Sequence, residues 1–240
     1  MCNMESYGTC EKRERRGALP VPVALVGAFF LFIPAFWIAA GTLGLTFFLV
    51  TALYFILTLS YCVALKRLIV IDCMTIAAGF VLRVVGGAIA VSVAPTHWLI
   101  VCAFLLALFL AFTKRRQELL TLSHNASEHR EVLSQYTVEY LEKVNGILIG
   151  AAIVCYALYT VAPETVERFK TTALIYGTVF VIYGMFRYLA LIKDPALGGS
   201  PSKMLLRDRP LMLTVLGWSV YNAAVIYQAS VIHFWSSIFH

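Results

Sequence analysis

Seven runs of apolar residues, each long enough to reach across a lipid bilayer, occupy most of this 240-residue chain. They fall at 21–41, 43–65, 68–93, 97–113, 144–162, 173–192 and 211–232. A hydrocarbon core about 30 Å thick takes ~20 residues of helix at about 1.5 Å each. The fourth run is the shortest, and His97 and Trp98 extend it into the interface. Lipid offers the backbone no hydrogen-bond partner, so a spanning segment is either a helix or a strand of a closed barrel. Barrel strands alternate apolar with polar residues, and these runs do not. Composition agrees, with 60% hydrophobic and 13% charged residues and a mean hydropathy of +0.82. A soluble domain carries about 25% charged residues and would have too little polar surface at half that share. The expected fold is all-α: a multi-pass bundle of about seven transmembrane helices over 21–240, preceded by a basic arm at 1–20.

The basic residues set an expected orientation. Of the 19 Lys and Arg residues, fifteen lie in alternate connections. These are the N-terminal arm, Lys66-Arg67, the segment Lys114–Lys143, and the segment Lys193–Arg209. Only Arg168 and Lys170 lie on the opposite side, while Arg83 and Arg187 lie inside apolar runs. Cytoplasmic loops are enriched in Lys and Arg, so the bias places the N-terminus in the cytoplasm and the C-terminus outside. The same rule accounts for the net charge of +6 without nucleic acid. The arm lacks the apolar core of a secretory signal. The six cysteines form no CxxC pair and four lie in apolar runs, which reads as packing residues or free thiols rather than a disulfide framework or zinc site. Lys114–Lys143 mixes charges at helical spacing, and Lys193–Arg209, with Gly198-Gly199-Ser200-Pro201, reads as loop.

Ionisable groups in lipid are costly and usually face a bundle interior or a wet cavity. Asp72 is the only carboxylate inside an apolar run, near its cytoplasmic end. Gly79, Arg83 and Gly86 follow it on the same helical face, where small residues admit a close neighbour. Asp72 is either a group solvated at the interface or paired with Lys66, or part of a site. Arg83 lies roughly 16 Å further along the helix, too far for a direct ion pair with Asp72. Its candidate partners are a tyrosine, backbone carbonyls or an anionic ligand. Arg187, taken alone, reads as a snorkelling side chain. Near Asp72 in expected depth come Tyr61, Lys66 and Arg67 at the inner end of the second run and Lys114, Arg115, Arg116 and Glu118 at the inner end of the fourth. Guanidinium and ammonium groups suit phosphate oxygens, so this cluster is a candidate anion site; ordinary positive-inside loading and a lipid headgroup are the competing explanations. No P-loop, HExxH, GxSxG or paired-His pattern is present.

The segment Tyr61–Arg83, YCVALKRLIVIDCMTIAAGFVLR, followed by Gly86-Gly87, resembles a characteristic segment of UbiA-type polyprenyl transferases. FLLALFLAFTKRRQEL (Phe104–Leu119), His129-Arg130 with Leu133 and Tyr136, YGMFRYLAL (Tyr183–Leu191) and Leu205–Leu211 with Trp218 are similar to strings of the decaprenyl-phosphate phosphoribosyltransferase branch. The resemblance covers roughly residues 12–232. It implies a helical bundle in the plasma membrane whose cavity opens to the cytoplasm. In it, a polyprenyl phosphate attacks phosphoribosyl diphosphate and pyrophosphate leaves. It further implies Mg²⁺ as cofactor, Tyr61, Lys66 and Asp72 at the donor site, and Asp72 as a metal ligand. Lys114, Arg115, Arg116 and Glu118 would then lie against substrate phosphates, with Arg83 and Arg187 supporting the cavity. Two alternatives are prenyl transfer to an aromatic or quinone-precursor acceptor, and a non-catalytic protein that binds polyprenyl phosphate. The family pattern has nine helices and a first Asp-rich motif just past the second. Here Lys12–Gly17 resembles the tail of that motif and residues 1–10 offer only Glu5 as an acid. The expectation is an N-terminally incomplete copy, with little catalysis from these residues alone.

Overall fold

The computed structural model describes residue 41 and residues 43–121, 135–192 and 201–238. The arm at 1–20 and the first expected span at 21–41 therefore lie outside the described residues, apart from Gly41. Contacts divide the chain into two units, Met1–Leu49 and Val50–His240. Of the first, the described part is mainly the opening of a helix, with Leu45 and Leu49 exposed.

All ten described elements are helical. They are α1 (Gly44–Val63), a 3₁₀ turn (Leu65–Arg67), α2 (Ile71–Ala90), α3 (His97–Thr121), α4 (Val138–Val161), α5 (Pro163–Phe169), a second 3₁₀ turn (Ala173–Gly177), α6 (Thr178–Leu191), α7 (Pro201–Arg207) and α8 (Arg209–Ile238). Six helical stretches among the described residues are long and apolar enough to cross a membrane: α1, α2, α3 to Leu120, α4, Ala173–Leu191 and the first 20 residues of α8. They match the second to seventh expected spans. The protein is a multi-pass helical membrane protein.

Two boundaries differ from expectation for one reason. The fourth span does not stop at residue 113: α3 runs through Lys114–Glu118 to Thr121. The fifth does not wait for residue 144, because α4 starts at Val138 and carries Glu139, Glu142 and Lys143 in its first turns. Hydropathy marks where a helix leaves lipid, whereas Lys, Arg, Gln and Glu are good helix formers that carry it further. The segment expected as loop before the last span contains α7, with Pro201 in its first position, where a missing N–H costs nothing.

Short polar side chains start three of these helices. Thr96 Oγ1 accepts the Leu99 N–H at 3.3 Å at the head of α3, and Thr137 Oγ1 accepts from Tyr140 at 3.2 Å at the head of α4. Asp208 Oδ1 accepts the Leu211 N–H at 2.8 Å at the head of α8. Each satisfies an amide that has no partner in its own helix.

Within the second unit α3 is central, packed against α2 on one side and α4 on the other, while α6 packs against α8. The core holds Phe109, Phe112, Leu141, Ile149 and Tyr188, with Phe109 and Tyr188 edge to face at 5.5 Å. At the end of α4 remote from Asn145, Tyr156 Oη accepts the Trp218 indole N–H at 2.8 Å, and Tyr221 donates to the Ala173 carbonyl at 2.8 Å. Gly177 lies under the Tyr156 hydroxyl, where a Cβ would come within 3.0 Å of the oxygen.

Candidate functional site

The 3₁₀ turn, the extended Leu68 and a tight turn at Ile69 and Val70 deliver the chain to α2 through an unusual backbone. Val70, immediately before α2, has φ 66° and ψ −46°. A β-branched residue with positive φ is a steric outlier, because its side chain crowds the backbone carbonyl. No side chain caps α2 at this position. The Val70 N–H is instead donated to the Tyr136 hydroxyl at 2.7 Å. Tyr136 stands directly before the Thr137 cap of α4, stacked on Tyr140 and edge-on to Phe112. It donates its own proton to Asp72 Oδ1 at 2.9 Å. Burial pushes the Tyr136 phenol far above its ordinary range, so it stays a protonated donor at any physiological pH.

Asp72 is wholly buried in the first turn of α2, where the helix dipole favours an anion. Its other oxygen, Oδ2, accepts from Arg115 Nε at 2.7 Å. Arg115, in the penultimate turn of α3, is 2% exposed. Its remaining nitrogens reach Glu118 one turn on and the Tyr61 hydroxyl at 3.3 Å on α1. Three helices and the start of α4 thus bring Tyr61, Asp72, Arg115, Glu118 and Tyr136 into one hydrogen-bonded cluster. Charge-assisted bonds of this kind are about twice as strong as neutral ones and compensate for removing both ions from water.

Four of the expected site residues therefore meet: Tyr61, Asp72, Arg115 and Glu118. Asp72 is neither solvated nor paired with Lys66; its partners are Arg115 and Tyr136. Arg116 is buried too, and faces another way. It binds Glu142 of α4 through Nη2 at 2.6 Å and donates from Nη1 to the Ile192 carbonyl at 2.7 Å, where Gln117 Nε2 also donates at 2.9 Å. Arg116 and Gln117 thus fasten the end of α6 to α3. Lys66 and Lys114 are exposed and form no ion pair with a described residue. They flank the cluster in sequence, Lys66 between Tyr61 and Asp72, and Lys114 directly before Arg115.

Arg83 and Arg187 lie outside this cluster. Arg83 donates to the Tyr54 hydroxyl of α1 and lies over the Tyr54 and Phe80 rings, 4.9 and 5.0 Å from their centroids. The Tyr54 ring also packs on Gly79, so two positions of the expected α2 stripe receive one residue of α1. Arg187 does not merely snorkel. It makes a two-point bond to Asp208, from Nε to Oδ1 at 3.3 Å and from Nη2 to Oδ2 at 2.8 Å. That bond holds the Asp208 carboxyl below its ordinary range.

A cavity of about 410 Å³ opens between α1, α2 and α3. Leu53, Leu57, Ala78, Leu82, Ile100 and Phe104 are among its linings, and none of the polar cluster contributes. It is a lipid-like hollow, separate from the anionic chemistry. The described residues also do not fit a magnesium ion. Mg²⁺ takes several oxygen ligands in near-octahedral geometry, yet no group of three or more His, Cys, Asp or Glu residues is gathered among them. Both Asp72 oxygens already accept hydrogen bonds. The cysteines at 62, 73, 102 and 155 are free thiols, as expected.

Sequence reasoning overlooked Tyr136 and Asp208 as organising residues. An intramembrane carboxylate and a buried arginine each demand a partner, and that demand was the available signal for Asp72 with Arg115. Nothing local could point to Tyr136, which lies 64 positions from Asp72.

No family model matches this chain. It is similar to three curated proteins called decaprenyl-phosphate phosphoribosyltransferase. The protein of Mycolicibacterium smegmatis is 29% identical over 185 residues, which is 75% of this chain and 58% of that protein. That of Corynebacterium glutamicum is 28% identical over 215 residues, 88% of this chain and 64% of that protein. That of Mycobacterium tuberculosis is 28% identical over 181 residues, 75% of this chain and 58% of that protein. The chain thus spans 58% to 64% of the length of these relatives. Over three quarters or more of its own length, it resembles proteins that carry this one name.

Proposed function

We propose that this chain carries the donor-site part of a membrane transferase that moves 5-phosphoribose from phosphoribosyl diphosphate to a polyprenyl phosphate, with release of pyrophosphate. The observation that carries the reading is the cluster of Tyr61, Asp72, Arg115, Glu118 and Tyr136, flanked in sequence by the exposed Lys66 and Lys114. Curated relatives named for this transfer support the choice of substrate. The basic side of the protein, and with it the site, faces the cytoplasm of the plasma membrane in this reading.

The buried ions and the exposed ones divide the work. Arg115 is neutralised by Asp72 and Glu118, and Arg116 by Glu142, so neither has a free charge to give a substrate. Their task is to lock the ends of the helices. Among the described residues of this cluster, Lys66 and Lys114 are exposed cations available for diphosphate oxygens, and fixed positive charge is what a departing pyrophosphate requires. Magnesium, implied by resemblance to the family, would neutralise further phosphate charge. The described residues supply no ligand set for it.

The test is an assay of membranes holding this chain, and of membranes holding the product of its coding sequence extended upstream of Met1. Phosphoribosyl diphosphate and a polyprenyl phosphate are supplied, and the lipid product is analysed. Lipid-linked phosphoribose with equimolar pyrophosphate is expected, and Lys66→Ala abolishes it. A prenylated aromatic product free of ribose would overturn the reading. Saturable binding of polyprenyl phosphate with no turnover from either version would replace it with a non-catalytic carrier.

A further inference from the structure

We infer that Tyr136 is a positioning residue: its hydroxyl is a latch that holds the Lys66-bearing turn in place by gripping the strained backbone of Val70. Three observations converge. The Val70 φ of 66° is one that a β-branched side chain resists. The Val70 N–H, which begins α2 and has no side-chain cap of its own, ends on the Tyr136 hydroxyl at 2.7 Å. That hydroxyl is in turn tied to the fully buried Asp72 at 2.9 Å, itself fixed by Arg115. The turn Leu65–Arg67 is joined to this point through Leu68 and Ile69 only. Without the hydroxyl, the positive φ of Val70 is held only by the backbone bonds that span it, from the Ile71 N–H to the Ile69 carbonyl at 2.7 Å and from the Asp72 N–H to the Leu68 carbonyl at 3.1 Å, and the Lys66-bearing turn before it loosens. With the hydroxyl present, strain at Val70 is retained because the network around it is over-determined, as at many ligand clamps.

The latch itself stands on geometry alone. Its consequence for the anionic donor rests on the proposed function. The experiment separates them by using tryptic cleavage after Lys66 and Arg67 in the full chain in lipid nanodiscs. For Tyr136→Phe, cleavage without ligand accelerates about tenfold, the equivalent of one lost hydrogen bond to a charged network. Val70→Gly tolerates positive φ, so in its background the effect of Tyr136→Phe shrinks; packing lost from the ring would add independently instead. Val70 also packs against the core, so the comparison is with Val70→Ala, which loses nearly the same packing but keeps the strain at positive φ: Val70→Gly has the higher Tm of the two. Phosphoribosyl diphosphate slows cleavage of the wild type, and Tyr136→Phe needs about ten times more of it for the same protection.

Wild-type cleavage rates in Tyr136→Phe, or strict additivity with Val70→Gly, overturn the latch. If Tyr136→Phe fails to fold, the two Val70 variants still decide, and a Tm of Val70→Gly at or below that of Val70→Ala rejects the strain. Cleavage of the wild type that phosphoribosyl diphosphate does not slow refutes the proposed donor, while the ligand-free rates still report on the latch.

Discussion

At the scale of single residues, Asp72 and Arg115 show why charge is tolerated inside an apolar bundle. Each has several partners, and neither has water. Removing one of two buried ions leaves the other uncompensated and typically costs about 3–5 kcal/mol, whereas removing both in favour of packed apolar groups is often near neutral. Asp72→Leu and Arg115→Met are each expected to lower unfolding stability in mild detergent by about that amount, and the double variant to be more stable than either single one. Additive losses in the double variant would show that the pair is not the unit proposed here. Gly177 makes a second case at this scale. Gly177→Ala places a methyl 3.0 Å from the Tyr156 hydroxyl. The hydroxyl must shift from the Trp218 indole, with a cost of about 1–3 kcal/mol from overpacking. A changed tryptophan emission together with a lower Tm checks it; wild-type emission would contradict it.

At the scale of elements, the start of α8 depends on one carboxylate. Asp208 both caps α8 and receives Arg187 of α6. Asp208→Ala is expected to destabilise by about 1–2 kcal/mol, as lost N-caps do. The sign of the pH effect follows from the lowered carboxyl pKa. Stability from this group is present above the unfolded Asp value of about 3.9 and is lost as pH falls through the lower folded value. Acid melting of the wild type should therefore lose more stability below about pH 4 than that of Asp208→Ala. The existence of these elements was readable in the sequence, because a run of about 20 apolar residues has one outcome in lipid. Their ends were not. The charges of Lys114–Glu118 interrupt hydropathy without interrupting α3, and Arg115 and Arg116 read as phosphate ligands or ordinary cytoplasmic-side charge until their acidic partners on other helices are known. Four of the five members of the cluster were legible, since residue types named Tyr61, Asp72, Arg115 and Glu118, but which cation faces Asp72 is decided by tertiary packing across 43 positions.

At the scale of the whole molecule, the basic cluster divides into ions that hold helices together and ions proposed to face a ligand. Among the described residues, Lys66 and Lys114 are the ones proposed for the second group. The measurement that tests this most directly is equilibrium binding of phosphoribosyl diphosphate to the full chain in nanodiscs, compared with single alanine variants. Lys66→Ala and Lys114→Ala should each weaken binding about tenfold, the value of one charge-assisted contact. Lys143→Ala, which removes an exposed cation bonded only to Glu139 one turn away, should leave it unchanged. Equal losses in all three variants would reduce the site to diffuse positive charge, and undiminished binding by Lys66→Ala would contradict the donor site itself.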